Sequence, residues 1–358
     1  MRKVLLRFIF EPVWEWQSVG NELIVGFGWL LAVWCLLAAV SLIVLWVKTR
    51  DPREVFVSAV FWSIVPVALL FVSKSGFFIR DTGIPVFGYG FMMFVGFVCG
   101  TALAVYHARR IRMDASIIVD LMTWLLIPGL IGARAFYVIQ YSDRIFRGAQ
   151  GLDYLKRLLA VQDGGLVFYG SVIGGAIGGW LFCRRRGIRP LELADVVAPS
   201  LFVGLALGRI GCFLYGCCYG GACNLPWAVR FPPDSLTYQA QLDAGIIDRT
   251  ATATTALHPT QIYSSLLAFL LAGVLCWCFR RRPFEGFVVG MMFVLYPINR
   301  FVLELIRNDE KGQLGTSLTI SQLISIGLFI TGIVLLVRLS KKSDMVKPAP
   351  ANAAGQAG

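Results

Sequence analysis

Apolar stretches separated by short polar and basic segments set the rhythm of this chain. Nine of them approach or exceed the roughly 20 residues needed to cross a bilayer: 25–46, 55–73, 87–107, 117–139, 165–183, 192–212, 260–279, 284–305 and 316–337. None alternates in the manner of a barrel strand, so helices are the predicted way to satisfy their backbones in lipid. The clearest runs from Val25 to Trp46 without a charge, and the weakest, 192–212, holds Glu192, Asp195 and Arg209. The opening MRKVLLRFIF has a basic start and an apolar core too short for a cleaved leader, and is read as an amphipathic helix lying at the interface. Two intervening segments are long, about 141–164 and 213–258, a length usual for functional loops. The second contains Pro226, Trp227, Pro232 and Pro233 and is expected to form a small outer head. The tail, rich in Ala, Pro and Gly, is expected to be disordered over 341–358. The predicted fold class is an all-α polytopic membrane protein.

Composition agrees. Of 358 residues 57% are hydrophobic and 15% charged, against about 25% charged in ordinary soluble domains. A water-soluble globule, a disordered chain and a small disulfide scaffold are excluded. The formal net charge of +12 is gathered into Lys48/Arg50/Arg53, Arg109/Arg110/Arg112, Arg184/Arg185/Arg186/Arg189, Arg280/Arg281/Arg282 and Arg338/Lys341/Lys342. With nine spans these clusters share one side, which the positive-inside rule makes the cytoplasm, with the N-terminus outside. Arg2, Lys3 and Arg7 are the exception. Nucleic-acid binding would need a basic patch on one soluble face instead, and no nucleic acid is expected as a partner.

Ionisable residues within spans are costly and mark function by default. Arg134 stands in Gly132-Ala-Arg134-Ala-Phe-Tyr137, Arg209 in Gly208-Arg209-Ile-Gly211-Cys212, and Arg300 and Glu304 in Asn299-Arg300-Phe-Val-Leu-Glu304-Leu-Ile-Arg307. Snorkelling to the interface is the plain alternative, above all for Arg307. Arg300 and Glu304, four apart, share a helix face. Two readings stand: a structural ion pair, or a carboxylate that holds one guanidinium edge while another meets an anion. The planar fork of arginine suits a phosphodiester. Glycines between 174 and 179 serve helix packing, whereas Gly208, Gly211, Gly216 and Gly220 expose backbone N–H groups beside an arginine.

These motifs, with Phe87-Gly-Tyr89-Gly-Phe-Met-Met, Gly164-Gly-Leu-Val-Phe-Tyr169-Gly170, Pro226-Trp227-Ala-Val-Arg-Phe-Pro232 and His258-Pro-Thr-Gln261-Ile-Tyr263, occur in an order that resembles the bacterial prolipoprotein diacylglyceryl transferases. The resemblance covers a core of 85–340 and leaves 1–84, with two spans, as an extension. It implies transfer of a diacylglyceryl group from phosphatidylglycerol, a membrane lipid, to the lipobox cysteine that ends a prolipoprotein signal peptide. Glycerol phosphate would leave, at the outer face of the inner membrane, with no metal or organic cofactor. By the same resemblance Arg209 would bind the lipid phosphate and Arg300 the leaving phosphate, the two guanidiniums converging on one anion. Glu304 would orient Arg300, Tyr89 would shape the head-group pocket and Gly220 would close its motif, with Arg134 and His258 as further substrate contacts. A turn cap is the other reading of His258.

Tyr169, a candidate catalytic residue, stands where well-known members have a histidine, and Cys212, Cys217 and Ser264 replace an Asn and two Glu. Tyrosine, with a pKa of about 10, is a poor base near neutrality. The thiol either ionises in the field of the arginines or meets altered chemistry. Disulfides joining Cys217 and Cys218 to Cys212 and Cys223 are expected in an oxidising compartment. A zinc site from these cysteines and His258 has no familiar spacing. A membrane thiol–disulfide oxidoreductase and a non-catalytic lipid- or lipoprotein-binding paralogue are the rival functions.

Overall fold

The computed structural model describes residues 4–9, 16–19, 22–56, 58–60, 62–63, 84–146, 165, 167–307 and 318–346. Its strands are β1 (Val4–Ile9), β2 (Trp16–Val19), β3 (Glu22–Gly26) and β4 (Ile84–Phe87). Its helices are α1 (Phe27–Thr49), α2 (Gly88–Arg110), α3 (Ala115–Gln140), α4 (Ser142–Phe146), α5 (Phe168–Arg186), α6 (Pro190–Tyr215), α7 (Leu236–Asp243), α8 (Thr260–Arg281), α9 (Phe287–Ile306) and α10 (Ile320–Val346). Among the described residues six helices (α2, α3, α6, α8, α9 and α10) are long and apolar enough to cross a membrane. Helix α1 covers the first expected span, with an apolar stretch over Leu31–Val47. Helix α5 covers the fifth, its hydropathy lowered by glycines and by Arg184, Arg185 and Arg186 at its end. The span expected over 55–73 lies mostly outside the described residues. Helix α10 continues through Val346, where a disordered tail was expected from 341; residues 347–358 lie outside the described set.

Two compact units share the chain: Met1–Phe94 with Gly208–Gln261, and Val95–Leu207 with Ile262–Gly358. In the first, the four strands form one sheet in the order β2-β3-β1-β4. The opening segment is therefore a strand and not an interfacial helix. β1 runs parallel to β3, pairing Leu6 with Leu23 and Phe8 with Val25, and antiparallel to β4, pairing Arg7 with Pro85. A six-residue run of Val, Leu, Phe and Ile around the single Arg7 is too short to stand as an isolated helix and suits a pleated surface. Its partners lie far along the chain, so no local pattern shows the pairing. The expected head contains α7, capped by the Ser235 hydroxyl, which accepts from the Tyr238 N–H at 3.2 Å. Val229 and Ala222 both bridge to Leu257 in antiparallel fashion.

The second unit holds the main core, built from Ala104, Ile118, Phe182, Val196, Phe202, Leu275 and Val288 with their neighbours. Helices α3 and α5 meet backbone to backbone. A Cβ on Gly170 would lie 2.2 Å from the Gly132 carbonyl oxygen, and one on Gly132 would lie 2.3 Å from that of Gly170. Both positions must therefore be glycine. Asp195, fully buried in α6, is structural: its carboxylate accepts from the N–H groups of Gly286 at 2.8 Å and Val289 at 3.0 Å, capping α9 from another helix. Three short loops, 111–114, 187–189 and 282–286, join successive helices, and each carries arginine. Arg184, Arg185 and Arg281 lie over the rings of Trp180, Trp124 and Trp277, the arginine–tryptophan pattern of a membrane interface.

Candidate functional site

In the second unit Arg300 and Glu304 sit one turn apart on α9 and form an ion pair, Nη1 to Oε2, at 2.5 Å. The side chains are 17% and 2% exposed. Arg300 Nη2 donates to the Ser321 hydroxyl on α10 at 2.9 Å, and that serine's carbonyl accepts from Ser325 Oγ at 2.8 Å. Among the described residues neither Glu304 oxygen has a hydrogen bond of regular geometry, so the carboxylate is held by the close charge contact, which takes up one guanidinium N–H. Among the described residues these two contacts leave three of the five guanidinium N–H donors for a ligand. Sequence spacing shows the Arg300–Glu304 pair; Ser321, on the following helix, leaves no such signal.

Arg134, on α3, donates from Nη1 to the Gly165 carbonyl at 3.1 Å and lies over the Tyr137 ring at 5.3 Å. Gly165 takes the left-handed conformation, φ 80°, and a Cβ there would run into Tyr137 and Arg134. Arginine and glycine together shape the entry to α5. Tyr169 lies in the first turn of α5, 39% exposed.

In the first unit Arg209, near the end of α6, is half-buried and makes no hydrogen bond or ion pair among the described residues. It lies within electrostatic reach of Tyr89 and Cys212. Tyr89 packs on Gly211, where a Cβ would meet its ring at 3.2 Å, and its ring centroid is 6.1 Å from that of Tyr215. Beyond α6 the chain turns sharply. Gly216 and Cys218 have φ of 75° and 60°, and three successive carbonyls are held from outside the turn. Thr237 Oγ1 donates to Gly216 at 2.8 Å, Gln261 Nε2 to Cys217 at 2.6 Å and Thr260 Oγ1 to Cys218 at 2.9 Å. Gly220 donates its N–H to the His258 carbonyl at 3.0 Å, and a Cβ there would lie 2.8 Å from His258 Cβ. Gly220 and His258 thus meet as a backbone clasp, with the Pro-Thr-Gln segment locking the turn.

All nine cysteines are free, so the disulfides expected among Cys212, Cys217, Cys218 and Cys223 are not formed. The sulfurs of Cys212, Cys217 and Cys218 lie within 4.8 Å of one another. Hydrogen bonds with Cys212 and Cys218, followed by burial, push the Cys217 thiol far above the ordinary thiol range. The cysteines of the turn are thus free thiols and not covalent cross-links.

The family model for prolipoprotein diacylglyceryl transferase matches residues 77–338. The chain belongs to this family. The chain is also similar to phosphatidylglycerol–prolipoprotein diacylglyceryl transferases from three bacteria. The Rhodopirellula baltica protein is 30% identical, covering 87% of this chain and 85% of its own. The Clostridium perfringens transferase 2 is 33% identical over 71% and 91%, and the Gloeobacter violaceus protein 30% over 78% and 98%. The sheet's first three strands and α1 precede the family match, while Arg134, Tyr169, Arg209, the cysteine turn and Arg300 all fall within it. The chain is thus a multi-pass membrane enzyme of the diacylglyceryl transferase family.

Proposed function

We propose that this protein transfers the diacylglyceryl group of phosphatidylglycerol to the lipobox cysteine of prolipoproteins, releasing glycerol phosphate. The reaction forms a carbon–sulfur bond at the glycerol carbon that carries the phosphate and breaks the carbon–oxygen bond there. Negative charge grows on the departing phosphodiester oxygen, and cations aimed at it are the main lever. The observation that carries this reading is the Arg300 guanidinium, fixed in an apolar helix pair by Glu304 and Ser321 with three N–H donors to spare. Arg300 stabilises the leaving phosphate, Glu304 and Ser321 orient it, and Arg209 binds the lipid phosphate. Tyr89 and Arg134 are each assigned a substrate contact, and Gly220 with His258 fixes the cysteine turn.

Read by the positive-inside rule, the arginine-rich loops support a site at the outer face of the inner membrane. The transferase core is assigned to 85–340, with 1–84 as an extension. A strain depleted of its own transferase tests the reading. The wild-type chain is expected to restore growth and lipoprotein processing, and Arg300→Ala and Arg209→Ala to abolish both. Failure of the wild-type chain, present at normal level in the membrane, refutes it.

A further inference from the structure

Three thiols meet at the end of α6, and phosphate binding uses none of them. Around a cation with metal–sulfur bonds of about 2.3 Å, tetrahedral angles set the sulfurs about 3.8 Å apart. The sulfurs of Cys212, Cys217 and Cys218 are already within 4.8 Å of one another, so a shift of at most about 1 Å at each pair completes a coordination shell. The turn is built to keep them there. Cys218 holds a left-handed backbone conformation at φ 60°, a strain that a non-glycine residue keeps only when its surroundings fix it. Here Thr237, Gln261 and Thr260 fix all three carbonyls of Gly216, Cys217 and Cys218. The spacing Cys212-x4-Cys217-Cys218 matches no common zinc pattern; the left-handed residue is what folds the adjacent cysteines onto the helical one.

We propose that Cys212, Cys217 and Cys218 hold a zinc ion as three thiolates, and that its fourth position takes the thiol of the protein substrate's cysteine. This rests on the transferase reading above. Three protein ligands with one open position is the catalytic arrangement of zinc, and no fourth His, Cys, Asp or Glu joins the cluster among the described residues. A thiol that binds the metal is deprotonated outright, its proton passing to water. The bound sulfur then attacks the glycerol carbon with one lone pair, and the carbon–oxygen bond breaks with its electron pair left on the phosphate oxygen. The thioether product, a weak neutral ligand, departs and the position reopens. Nothing is oxidised or reduced. Arg209, three residues before Cys212 and within electrostatic reach of it, offsets the negative charge of the thiolate cluster.

The test uses the full-length protein in detergent, reduced and stripped of metal, then titrated with cobalt(II) as a spectroscopic stand-in for zinc. One equivalent is expected, with a thiolate-to-cobalt charge-transfer band and the intense visible bands of a tetrahedral site. Cys217→Ser and Cys218→Ser should lose these bands and Cys223→Ser keep them. A lipobox peptide should shift them, and the same peptide with serine for cysteine should not. Because an altered turn can misfold, the wild-type spectrum and its response to peptide stand as the primary readout. Full ionisation raises the thiolate fraction of an ordinary thiol, pKa about 8.5, by roughly 30-fold at pH 7. Chelation should therefore slow transfer by up to about 30-fold, and by less as pH rises past 8.5. Absence of stoichiometric binding, binding undiminished in the cysteine variants, or a disulfide among the three in protein taken directly from membranes overturns the proposal. If metal-free wild type transfers at the full rate, the zinc proposal falls and the transferase reading stands. If cobalt binds and responds to the peptide thiol while no variant or wild type transfers lipid, the transferase reading falls and the metal site stands.

Discussion

Replacing Arg300 by lysine keeps the charge and removes the fork, which makes it the sharpest probe of the proposed chemistry. The guanidinium spends one N–H on Glu304 at 2.5 Å and one on Ser321 at 2.9 Å, leaving three for phosphate. A lysine ammonium has three N–H groups on one nitrogen. Held by Glu304, which is 2% exposed and cannot be left without a counter-charge, it has no second edge with which to meet two phosphate oxygens at once. Loss of one preorganised donor to a developing oxyanion costs about 2.7–4 kcal/mol, a factor of roughly 100 to 1,000 in kcat. Initial rates of labelled diacylglyceryl transfer to a lipobox peptide, with lipid varied to separate kcat from KM, read this directly. Arg300→Lys should lower kcat by that factor with KM for lipid little changed, while Glu304→Gln, acting through Arg300, should lose less. A folded Arg300→Lys enzyme with kcat within about fivefold of wild type, the loss of a mere exposed ion pair, would refute the role given to the guanidinium.

Four further outcomes follow from the geometry. Arg209→Ala should raise KM for phosphatidylglycerol more than it lowers kcat, measured in the same assay. Gly170→Ala sets a methyl 2.2 Å from the Gly132 carbonyl oxygen and should destabilise the α3–α5 pair by about 1–3 kcal/mol, seen as a lower Tm in detergent. Asp195→Ala leaves two buried N–H groups at the start of α9 without their acceptor and should cost about 2–5 kcal/mol, read by thermal unfolding. The Cys217 pKa lies above that of an unfolded thiol, so the folded state holds the extra proton. In metal-free protein this stabilisation is complete below the unfolded value of about 8.5 and declines as pH rises beyond it. The fall in Tm above that pH should be smaller in Cys217→Ala.

Bilayer physics makes the spans legible: a helix must satisfy every backbone group internally over a fixed thickness, so α2, α3, α6, α8, α9 and α10 all fall on long, predominantly apolar runs. The sheet follows no such rule. β1 pairs with β4 about 80 residues away, and strands of four to six residues carry too little periodicity to be distinguished from the start of an apolar helix. The same contrast runs through the site. Arg300 and Glu304 are visible because four residues make one helical face; Ser321 is invisible because only the packing of α9 on α10 brings it in. Asp195 was legible as an anomaly within a span, yet its partners, two backbone N–H groups on another helix, could not be named from composition. The cysteines were read as cross-links because oxidation is the usual fate of clustered thiols outside the cytoplasm. What the pattern could not carry is the left-handed backbone at Cys218, which gathers three sulfurs without joining any two.

The position of the cluster sets a problem that its charges resolve. Cys212 lies in the last turn of α6, and Cys217 and Cys218 just beyond it. The C-terminal end of a helix carries roughly half a negative charge, the wrong polarity for a thiolate and for a lipid phosphate alike. Neutral thiols, the direction in which hydrogen bonds and burial push Cys217, are the metal-free solution, and they hold no nucleophile. To gather thiolates and a phosphodiester at this end, positive charge has to come from outside the backbone. Arg209 brings one charge, about 4.5 Å up the helix axis from Cys212, which suffices for one anion but not for two. The proposed divalent cation adds two charges, so that metal and Arg209 together balance the three thiolates: removing Arg209 should weaken cobalt binding as well as lipid binding, whereas Arg300→Ala should leave cobalt affinity unchanged.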